Sequence, residues 1–414
     1  MTTTINNEHK KLNVPNLRFP EFQGEWKEST IGEMFDLYSG NTPSRLNKEH
    51  FKGTVNWISS GELKEHYIYS SKEQISEEAA KSLKLLPVGT FVIAIYGLEA
   101  DGVRGTGSIT QEPSTISQAC MSFIPKGVIE NEFLYSWYKK HGNVIGIRYA
   151  QGTKQQNLSY DILEKFRIAY PNTKEQEKLN KFISLLDERI ATQNKIIDKL
   201  QSLIKGLEDN LLDNPLWEKT YLRSFMQFFP TNSLSWEQLG YKEGAIRNLH
   251  YGLIHSFQTR GINSASLPMI KNEAVPKQYV LCQVGDVAFA DASEDTGEIA
   301  KSVEFVDTIE GDTICGLHTI HGRDIKNRTV VGFKGFAFNS RYFHNQIKRL
   351  AQGTKVFSIT ANNLSSCYVY LPDLEKQKAI VKLLRSYEEQ LIIGRMILKQ
   401  YEKQKQYLLR QMFI

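Results

Sequence analysis

Cysteine and histidine side chains that could bind a metal ion lie close together in one stretch of the sequence. Cys315, His318 and His321 are residue types that hold zinc, and their spacing could place three ligands around one ion. No fourth ligand is evident nearby, and a β-strand followed by a turn would give the same spacing. Residues 311–319 have the glycine spacing of a phosphate-binding loop, but a Leu-His pair stands where a lysine and a hydroxyl residue are needed. We therefore predict that this chain binds no metal and no cofactor.

Nucleophiles and bases are scattered through the chain, and no Ser/His/Asp or Cys/His set can be singled out as catalytic. The remaining chemistry is binding. Arginine and asparagine suit the base edges of double-stranded DNA, whereas lysine, serine, threonine and backbone amides suit its phosphates. The candidate DNA-binding residues are Gly40, Asn41, Thr42, Ser44, Arg45, Arg104, Lys154, Arg247, His250, Tyr251, His255, Arg260 and Lys355. For each of them the alternative is an ordinary solvated surface side chain.

An internal repeat organises the positions of these residues. The Ala-Gln-Gly-Thr-Lys sequence at residues 150–154 recurs at residues 351–355, which is 201 positions later. The same offset continues to the C-terminus and places apolar residues on apolar residues, such as Leu163 on Leu364. Such a constant offset indicates an internal duplication.

Each copy of the repeat is followed by the pattern of a long helix. Pro171 suits a helix start, Thr173 is a suitable N-cap, and Gln176 has the spacing of a capping box. Apolar residues then alternate at spacings of four and three, a coiled-coil pattern that Gln193 interrupts in the first copy. The seam consists of Ile183, Leu186, Ile190, Ile197, Leu200 and Ile204 in the first copy and Leu384, Tyr387, Leu391, Leu398, Tyr401 and Leu408 in the second.

Two copies of one seam can pair with each other. If they pair antiparallel, the two globular halves lie at opposite ends of a rod of roughly 60 Å, at 1.5 Å per helical residue. The alternative is two unrelated surface helices, each packed on its own domain.

Composition limits the classes of protein that fit. The 414 residues, with 41% hydrophobic and 23% charged side chains, predict more than one globular domain. A net charge of +5 permits nucleic-acid binding without requiring it. The four cysteines form no CxxC pair, which fits a reducing cytoplasm. No apolar run is long enough to span a membrane, and the polar start lacks a signal-peptide core.

The sequence predicts two globular domains that alternate with two long helices. We predict a flexible leader at 1–16, a first globular domain at 17–170, a helix at 171–213, a second domain at 214–371 and a second helix at 372–414. In the first domain we expect strands at 57–59 and 91–96 and a short amphipathic helix at 132–140. Residues 251–255 have no evident counterpart in the first half, so the two domains share a framework and differ in content.

The chain resembles the specificity subunit of type I restriction–modification systems over nearly all of its length. The resemblance rests on the repeated Ala-Gln-Gly-Thr-Lys turns with Leu158, Ser159, Pro171, Gln176 and the heptad helices, and on residues 17–20, 39–44, 57–58 and 246–255. It implies an α/β (α+β) fold of two target-recognition domains in a pseudo-twofold arrangement, separated by two long helices that form an antiparallel coiled coil.

The resemblance also implies a function. Each domain would read one half of a split, asymmetric DNA sequence, and the helices would fix the gap between the halves. Two methyltransferase subunits would dock on the conserved regions and methylate adenine with S-adenosylmethionine, and ATP- and Mg-dependent motor–nuclease subunits would join them. A DNA-mimicking inhibitor is a further partner that the family allows. The alternative class is a duplicated coiled-coil adaptor that binds protein and not DNA.

Overall fold

The computed structural model describes residues 12–100, 102–257, 259–307, 309, 311–353 and 355–414. Most of the predicted leader, residues 1–11, lies outside the described residues. From Asn13 onward the chain is held by hydrogen bonds: the Trp26 amide donates to the Asn13 carbonyl at 2.7 Å, and the Leu17 amide donates to the Gln411 carbonyl at 3.0 Å. No helix in the described part of the chain combines the length and the apolar character that a membrane span needs.

The chain divides into two compact units. The first contains the described residues up to Gln193 together with Ile397–Ile414, and the second is Asn194–Met396. Each unit therefore contains one α/β domain, the first part of one long helix and the last part of the other.

The first unit is built from three sheets and a helix that packs on the largest of them. Its strands are β1 (Lys27–Thr30), β2 (Phe35–Ser39), β3 (Val55–Ile58), β4 (Tyr67–Ile68), β5 (Gln74–Ile75), β6 (Phe91–Ala94), β7 (Gly107–Thr110), β8 (Ser114–Ile116), β9 (Cys120–Pro125) and β10 (Arg167–Tyr170). Its helices are α1 (Ile31–Met34), α2 (Glu77–Ala80), α3 (Asn131–Tyr149), α4 (Tyr160–Leu163) and the first part of α5 (Thr173–Leu212). The sheet orders are β2-β9-β6-β7-β4, β5-β3-β8 and β1-β10.

The second unit has the same plan with additions. Its strands are β11 (Glu218–Tyr221), β12 (Met226–Phe229), β13 (Leu239–Gly240), β14 (Ile246–Leu249), β15 (Gly261–Ile262), β16 (Met269–Ile270), β17 (Val287–Ala290), β18 (Ala292–Ser293), β19 (Ser302–Phe305), β20 (Asp312–Cys315), β21 (Thr319–Asp324), β22 (Phe357–Ser358) and β23 (Tyr368–Leu371). Its helices are α6 (Tyr251–Ser256), α7 (Phe333–Ala337), α8 (Arg341–Leu350), α9 (Ala361–Ser366) and the first part of α10 (Leu374–Met412). The sheet orders are β12-β21-β17-β19-β15, β13-β16-β14-β20, β11-β23 and β18-β22.

Strand order shows that the duplication extends beyond the helices. The five-stranded sheets match strand for strand, and in both the last pair is parallel (β4 with β7, β15 with β19) while the other pairs are antiparallel. The small sheets match as well, because β3 pairs parallel with β8 as β14 does with β20. Residues 251–255 therefore do have a positional counterpart: α6 follows β14 just as the 3-10 turn Ser60–Glu62 follows β3.

The two long helices run antiparallel within each unit. In the first unit Leu179 and Ile183, from the start of α5, share a core with Leu409 and Met412, from the end of α10. In the second unit Leu212, from the end of α5, shares a core with Leu384, near the start of α10. All twelve predicted seam residues are buried or half-buried, whereas Leu185, Ile196 and Leu203 beside them are exposed. An apolar side chain at each seam position is thus removed from water, as a coiled coil requires.

The starts of the long helices differ from the predicted capping box. Asn172, not Thr173, caps α5 by accepting from the Glu175 amide at 3.1 Å, and Asp373 caps α10 by accepting from the Lys376 amide at 2.8 Å. Gln176 is fully buried, and its side-chain amide donates to the carbonyls of Val128 and Pro171 at 3.1 and 3.0 Å. The prediction for Gln176 was therefore wrong, because its side chain turns away from the cap toward the α/β domain.

Candidate nucleic-acid interface

The loop after β2 contains the first group of candidate residues. Gly40 is required there, because a Cβ atom at this position would lie 2.1 Å from the Ile116 carbonyl oxygen. The Asn41 amide donates to that carbonyl at 3.1 Å, and the Asn41 carbonyl accepts from the Trp57 indole at 3.0 Å. Asn41 and Ser44 are exposed and Thr42 is half-buried. The backbone of this loop is therefore fixed while polar side chains remain open to solvent.

Arg45, in the same loop, is held within the unit. Its guanidinium forms two hydrogen bonds with the Glu73 carboxylate, at 2.6 and 2.7 Å, and lies over the Phe51 ring with 4.2 Å to the centroid. The hydrogen bonds with Glu73 raise the pKa of Arg45. The Arg45 side chain is 55% exposed, so it can meet a phosphate, but only in competition with Glu73.

The second group lies on β14 and α6. Arg247 is half-buried and donates to the carbonyls of Ala265 and Leu267, at 2.9 and 3.2 Å. His250 is 3% exposed and caps α6, since its Nδ1 accepts from the Gly252 amide at 3.2 Å. These two side chains support the local backbone.

The next two side chains along α6 are more open. Tyr251 is half-buried, with its ring edge-on to His318 at 5.3 Å between centroids. His255 is half-buried with its Nδ1 3.4 Å from Glu298 Oε2. Of this group, Tyr251 and His255 are the better placed to contact a ligand.

Arg260 contacts one glutamate on each of the two long helices. Its Nε lies 3.6 Å from Glu208 Oε1 on α5, and its backbone amide donates to Glu388 Oε1 on α10 at 3.2 Å. Burial raises the pKa of Glu388 to about 7, against the lowering effect of Arg260. Arg260 therefore fastens the α/β domain of the second unit to its helices.

His66, which sequence reasoning missed, has the equivalent position in the first unit. It precedes β4 as Arg260 precedes β15, and its ring lies 2.9 Å from Glu132 and 3.2 Å from Asp187 of α5. Asp187 and Glu388 are 201 positions apart, so the same site of the repeat supplies the acid in both units. The His66 ring is stacked on Tyr135 at 3.9 Å, and Lys405 of α10 reaches the same Asp187. A signal existed in the sequence: an acidic residue stands at the same repeat position in both long helices.

This contact predicts a pH dependence of stability. Burial lowers the pKa of His66, but its hydrogen bonds with Asp187 and Glu132 outweigh burial and the pKa is raised. A raised pKa means that protonation of His66 stabilises the folded state. This stabilisation is complete below the pKa of about 6.5 that histidine has in the unfolded chain, and it is lost as the pH rises through the pKa of the folded state. We expect thermal unfolding of His66→Gln and the parent chain to differ most near pH 6 and to converge as pH rises through the folded pKa. An equal difference at every pH, or the same profile for the exposed control His318→Gln, would contradict this assignment.

The remaining candidates lie elsewhere in the units. Lys154 and Lys355 are exposed beside the repeated turns. Gly152 and Gly353 are needed in these turns because their φ angles are 115° and 131°. Arg104 is half-buried and lies against α3, where a Cβ on Gly146 would come within 2.5 Å of its Cγ. The two lysines are thus open to a ligand, whereas Arg104 is mainly a packing residue.

The second unit also has a loop equivalent to that of Gly40, which the sequence pattern did not reveal. After β12, the Asn232 side chain donates to the Cys315 carbonyl at 2.9 Å, as the Asn41 amide donates to the Ile116 carbonyl after β2. Asn232 also accepts from the Asn248 side chain at 3.1 Å. Asparagine at the same place in both loops was the available signal.

The metal-ligand candidates separate in the structure. His318 is half exposed and pairs with Asp291 at 3.1 Å. Cys315 and His321 are buried and lie beside a third residue, Cys282, which the spacing in the sequence did not indicate.

Comparison with known proteins places these units in a family. The model of the type I restriction modification DNA specificity domain matches residues 23–202 and 269–403, which is more than half of the chain. The chain is 29% identical over 185 residues to the MjaIX specificity subunit of Methanocaldococcus jannaschii, covering 42% of each chain. It is 30% identical over 208 residues to the EcoR124I/EcoR124II specificity subunit of Escherichia coli, covering 48% of this chain and 50% of that one. These two matches span half or less of the relatives' lengths. A weaker match, 24% identical, covers 94% of this chain and 91% of the MjaVIII specificity subunit of M. jannaschii.

Solved structures have the same fold. A type I restriction–modification S subunit from M. genitalium aligns with a TM-score of 0.59 at 15% identity, covering 97% of this chain and 99% of that one. A chain from a study of complex assembly and conformational transition in the type I system aligns with a TM-score of 0.56 at 14% identity, covering 93% and 96%. The chain belongs to the family of type I restriction modification DNA specificity domains.

Proposed function

We propose that this chain is the DNA-recognition subunit of a type I restriction–modification complex, in which each unit reads one half of a bipartite, asymmetric DNA target. The observation that supports it best is the family match to both units, combined with equal strand topology and unequal loop content. Equal topology would offer the same surface to each half-site. Different side chains on that surface would read different bases.

The loops supply that difference. The open face of the first unit has Asn41, Ser44 and the Arg45–Glu73 pair. In the second unit, α6 carries the half-buried Tyr251 and His255, whereas Asn232 is bonded to Cys315 and Asn248 and holds the loop after β12. A side chain already bonded within its unit, such as Arg247, would act by holding the loop and not by touching a base.

The long helices would set the distance between the half-sites, since a stiff connection holds the second recognition domain at a fixed span. Methyltransferase subunits and motor–nuclease subunits would dock on the chain and bring S-adenosylmethionine, ATP and Mg. The chain itself would contribute no catalytic residue. Its four cysteines are free, which fits a reducing compartment, and we place the chain in the cytoplasm. A protein-binding adaptor, the alternative class, is not favoured by the family match.

Methylation mapping tests this proposal. The chain would be expressed with its methyltransferase subunit in a host without adenine methylation, and the genome sequenced for N6-methyladenine. We expect one split motif with two unlike halves at constant spacing. Replacing residues 17–149 by the corresponding part of another specificity chain should change one half and leave the other half and the spacing as they were.

The control is the same methyltransferase subunit with a specificity chain of known target. If the complex forms and the control methylates its own motif, but this chain gives none, DNA recognition is refuted. A swap that alters both halves would contradict the assignment of one half-site to each unit.

A further inference from the structure

Three buried side chains in the second unit have the composition of a metal site. The ligand atoms of Cys282, Cys315 and His321 all lie within 4.8 Å of one another. The three residues are 6%, 3% and 1% exposed. They come from the end of β20, from β21 and from the segment before β17, so tertiary structure alone brings them together.

The sulfur atoms are placed as metal ligands would be. Cys282 Sγ and Cys315 Sγ are 3.6 Å apart. Two thiolates bound tetrahedrally at 2.3 Å from one zinc ion are separated by about 3.8 Å, whereas a disulfide bond is about 2.05 Å long. The spacing therefore fits two ligands of one ion with little movement.

A carboxylate orients the histidine. His321 Nε2 lies 2.7 Å from Asp286 Oδ2, and Asp286 is itself fixed by two hydrogen bonds from Arg323, at 2.8 and 2.7 Å. Metal-bound histidines usually have such a carboxylate partner, which fixes the ring. The arginine neutralises the aspartate, so this partner adds no net charge to the buried region.

Thr313 supplies an independent indication of a polar ligand. Its hydroxyl oxygen is buried and has no hydrogen-bond partner among the described residues. The Cys282 amide donates to the Thr313 carbonyl at 2.8 Å, and Leu281 bridges Ile314, which places Cys282 opposite Thr313. Side chains alternate along a strand, so Thr313 and Cys315 project from the same face of β20. A hydroxyl on this face of β20 can form a hydrogen bond with a water molecule that is bound to an ion.

We propose that Cys282, Cys315 and His321 bind one zinc ion, with a water molecule held by Thr313 as the fourth ligand. Two thiolates neutralise the charge of Zn²⁺ and the histidine is neutral, so no uncompensated charge is buried. Thiolates and imidazole are the donors that zinc prefers. On binding, each thiol loses its proton to solvent and forms one sulfur–zinc bond, with no change of oxidation state. The ion would join β20, β21 and the segment before β17 as a structural site acquired during folding.

Metal analysis of the untagged full chain tests the proposal, with the methyltransferase subunit present if the chain needs it. We expect about one zinc ion per chain. The zinc content should fall roughly tenfold or more in Cys282→Ser and in Cys315→Ser. Cys367→Ser, which changes another buried cysteine of the same unit, should keep its zinc. Asp286→Asn should weaken zinc binding by about 10–100-fold, as second-shell changes do.

A second measurement avoids dependence on variants that fail to fold. The parent chain is unfolded in chelator and refolded with Co²⁺, which gives a thiolate-to-cobalt absorption band if two cysteines bind the ion. No band and no zinc after refolding in zinc would overturn the proposal. Zinc retained by both cysteine variants, or an intact mass showing a Cys282–Cys315 disulfide, would overturn it as well.

Discussion

A Lys334→Met variant should lose about 3–5 kcal/mol of unfolding free energy, the cost of leaving one partner of a buried ion pair alone. Lys334 Nζ lies 2.8 Å from Glu304 Oε1, and the two side chains are 2% and 0% exposed. Glu304 also accepts from the Gly335 amide at 2.8 Å, and Lys334 donates to Thr329 at 2.9 Å. Methionine fills a similar volume, so the loss measures the uncompensated carboxylate and not a cavity. Denaturant unfolding of the full chain would report the change.

Two further variants isolate the cause. Lys376→Met removes an ion pair to Asp373 whose side chains are 65% and 55% exposed, and exposed pairs contribute about 0–1 kcal/mol. The double variant Lys334→Met with Glu304→Gln removes both charges and should regain much of the stability. If Lys334→Met cost no more than Lys376→Met, the buried pair would not be formed in the folded protein.

The second large effect is expected at Gln377, the counterpart of Gln176. Its side-chain amide donates to the carbonyls of Arg328 and Pro372, both at 3.0 Å, and its oxygen accepts from the Val330 amide at 3.0 Å. Gln377→Leu leaves these three backbone groups without a partner, at about 1–3 kcal/mol for each group that stays buried. We expect the loss to appear as faster hydrogen exchange and proteolysis near residues 328–330, where α10 meets its domain.

Gln176→Leu makes the same change in the first unit and should loosen residues 128–130 instead, because Gln176 accepts from the Glu130 amide at 3.0 Å. Gln404→Leu, on the exposed side of α10, is the matched control and should have little effect. Equal loosening in both units from one substitution would show that Gln176 and Gln377 do not act locally. The bonds are the same at both positions, so each of these residues connects a long helix to the α/β domain of its unit.

Parts of the fold could be predicted from the sequence because local chemistry decides them. The periodic apolar seam predicts α5 and α10, since apolar residues recur at alternating spacings of four and three along both segments. The predicted strand at 91–96 corresponds to β6, and that at 57–59 to β3. The predicted helix at 132–140 was too short: α3 continues to Tyr149 through Gly142 and Gly146. Those glycines are needed because residues 104 and 105 pack against the helix, a contact that the local pattern does not show.

The candidate site was harder to predict, because the type of a residue does not tell whether its side chain already has a hydrogen-bond or ion-pair partner within the protein. Arg45, Arg247 and Arg260 have the chemistry of DNA contacts, yet each is bonded inside its own unit. His66 was not among the candidates, although its ring bonds Asp187 of α5, the repeat counterpart of the Glu388 that the Arg260 amide contacts on α10. Among the candidates, the structure leaves Asn41, Ser44, Arg45, Lys154 and Lys355 exposed, and of these Arg45 is already paired with Glu73.

The sequence by itself determined the duplication and the two long helices, because both rest on periodicity or spacing along the chain, and its motifs carried the resemblance to the family. Tertiary structure alone decided which strands of the two units are equivalent, since the loops between them vary in length while strand pairing does not. It also decided that Cys282 lies beside Cys315 and His321, and that Gln176 and Gln377 are buried connections to the α/β domains and not caps. The physical reason is the same in each case: hydrogen bonding and burial satisfy groups that are far apart in sequence, and no local pattern records the partner.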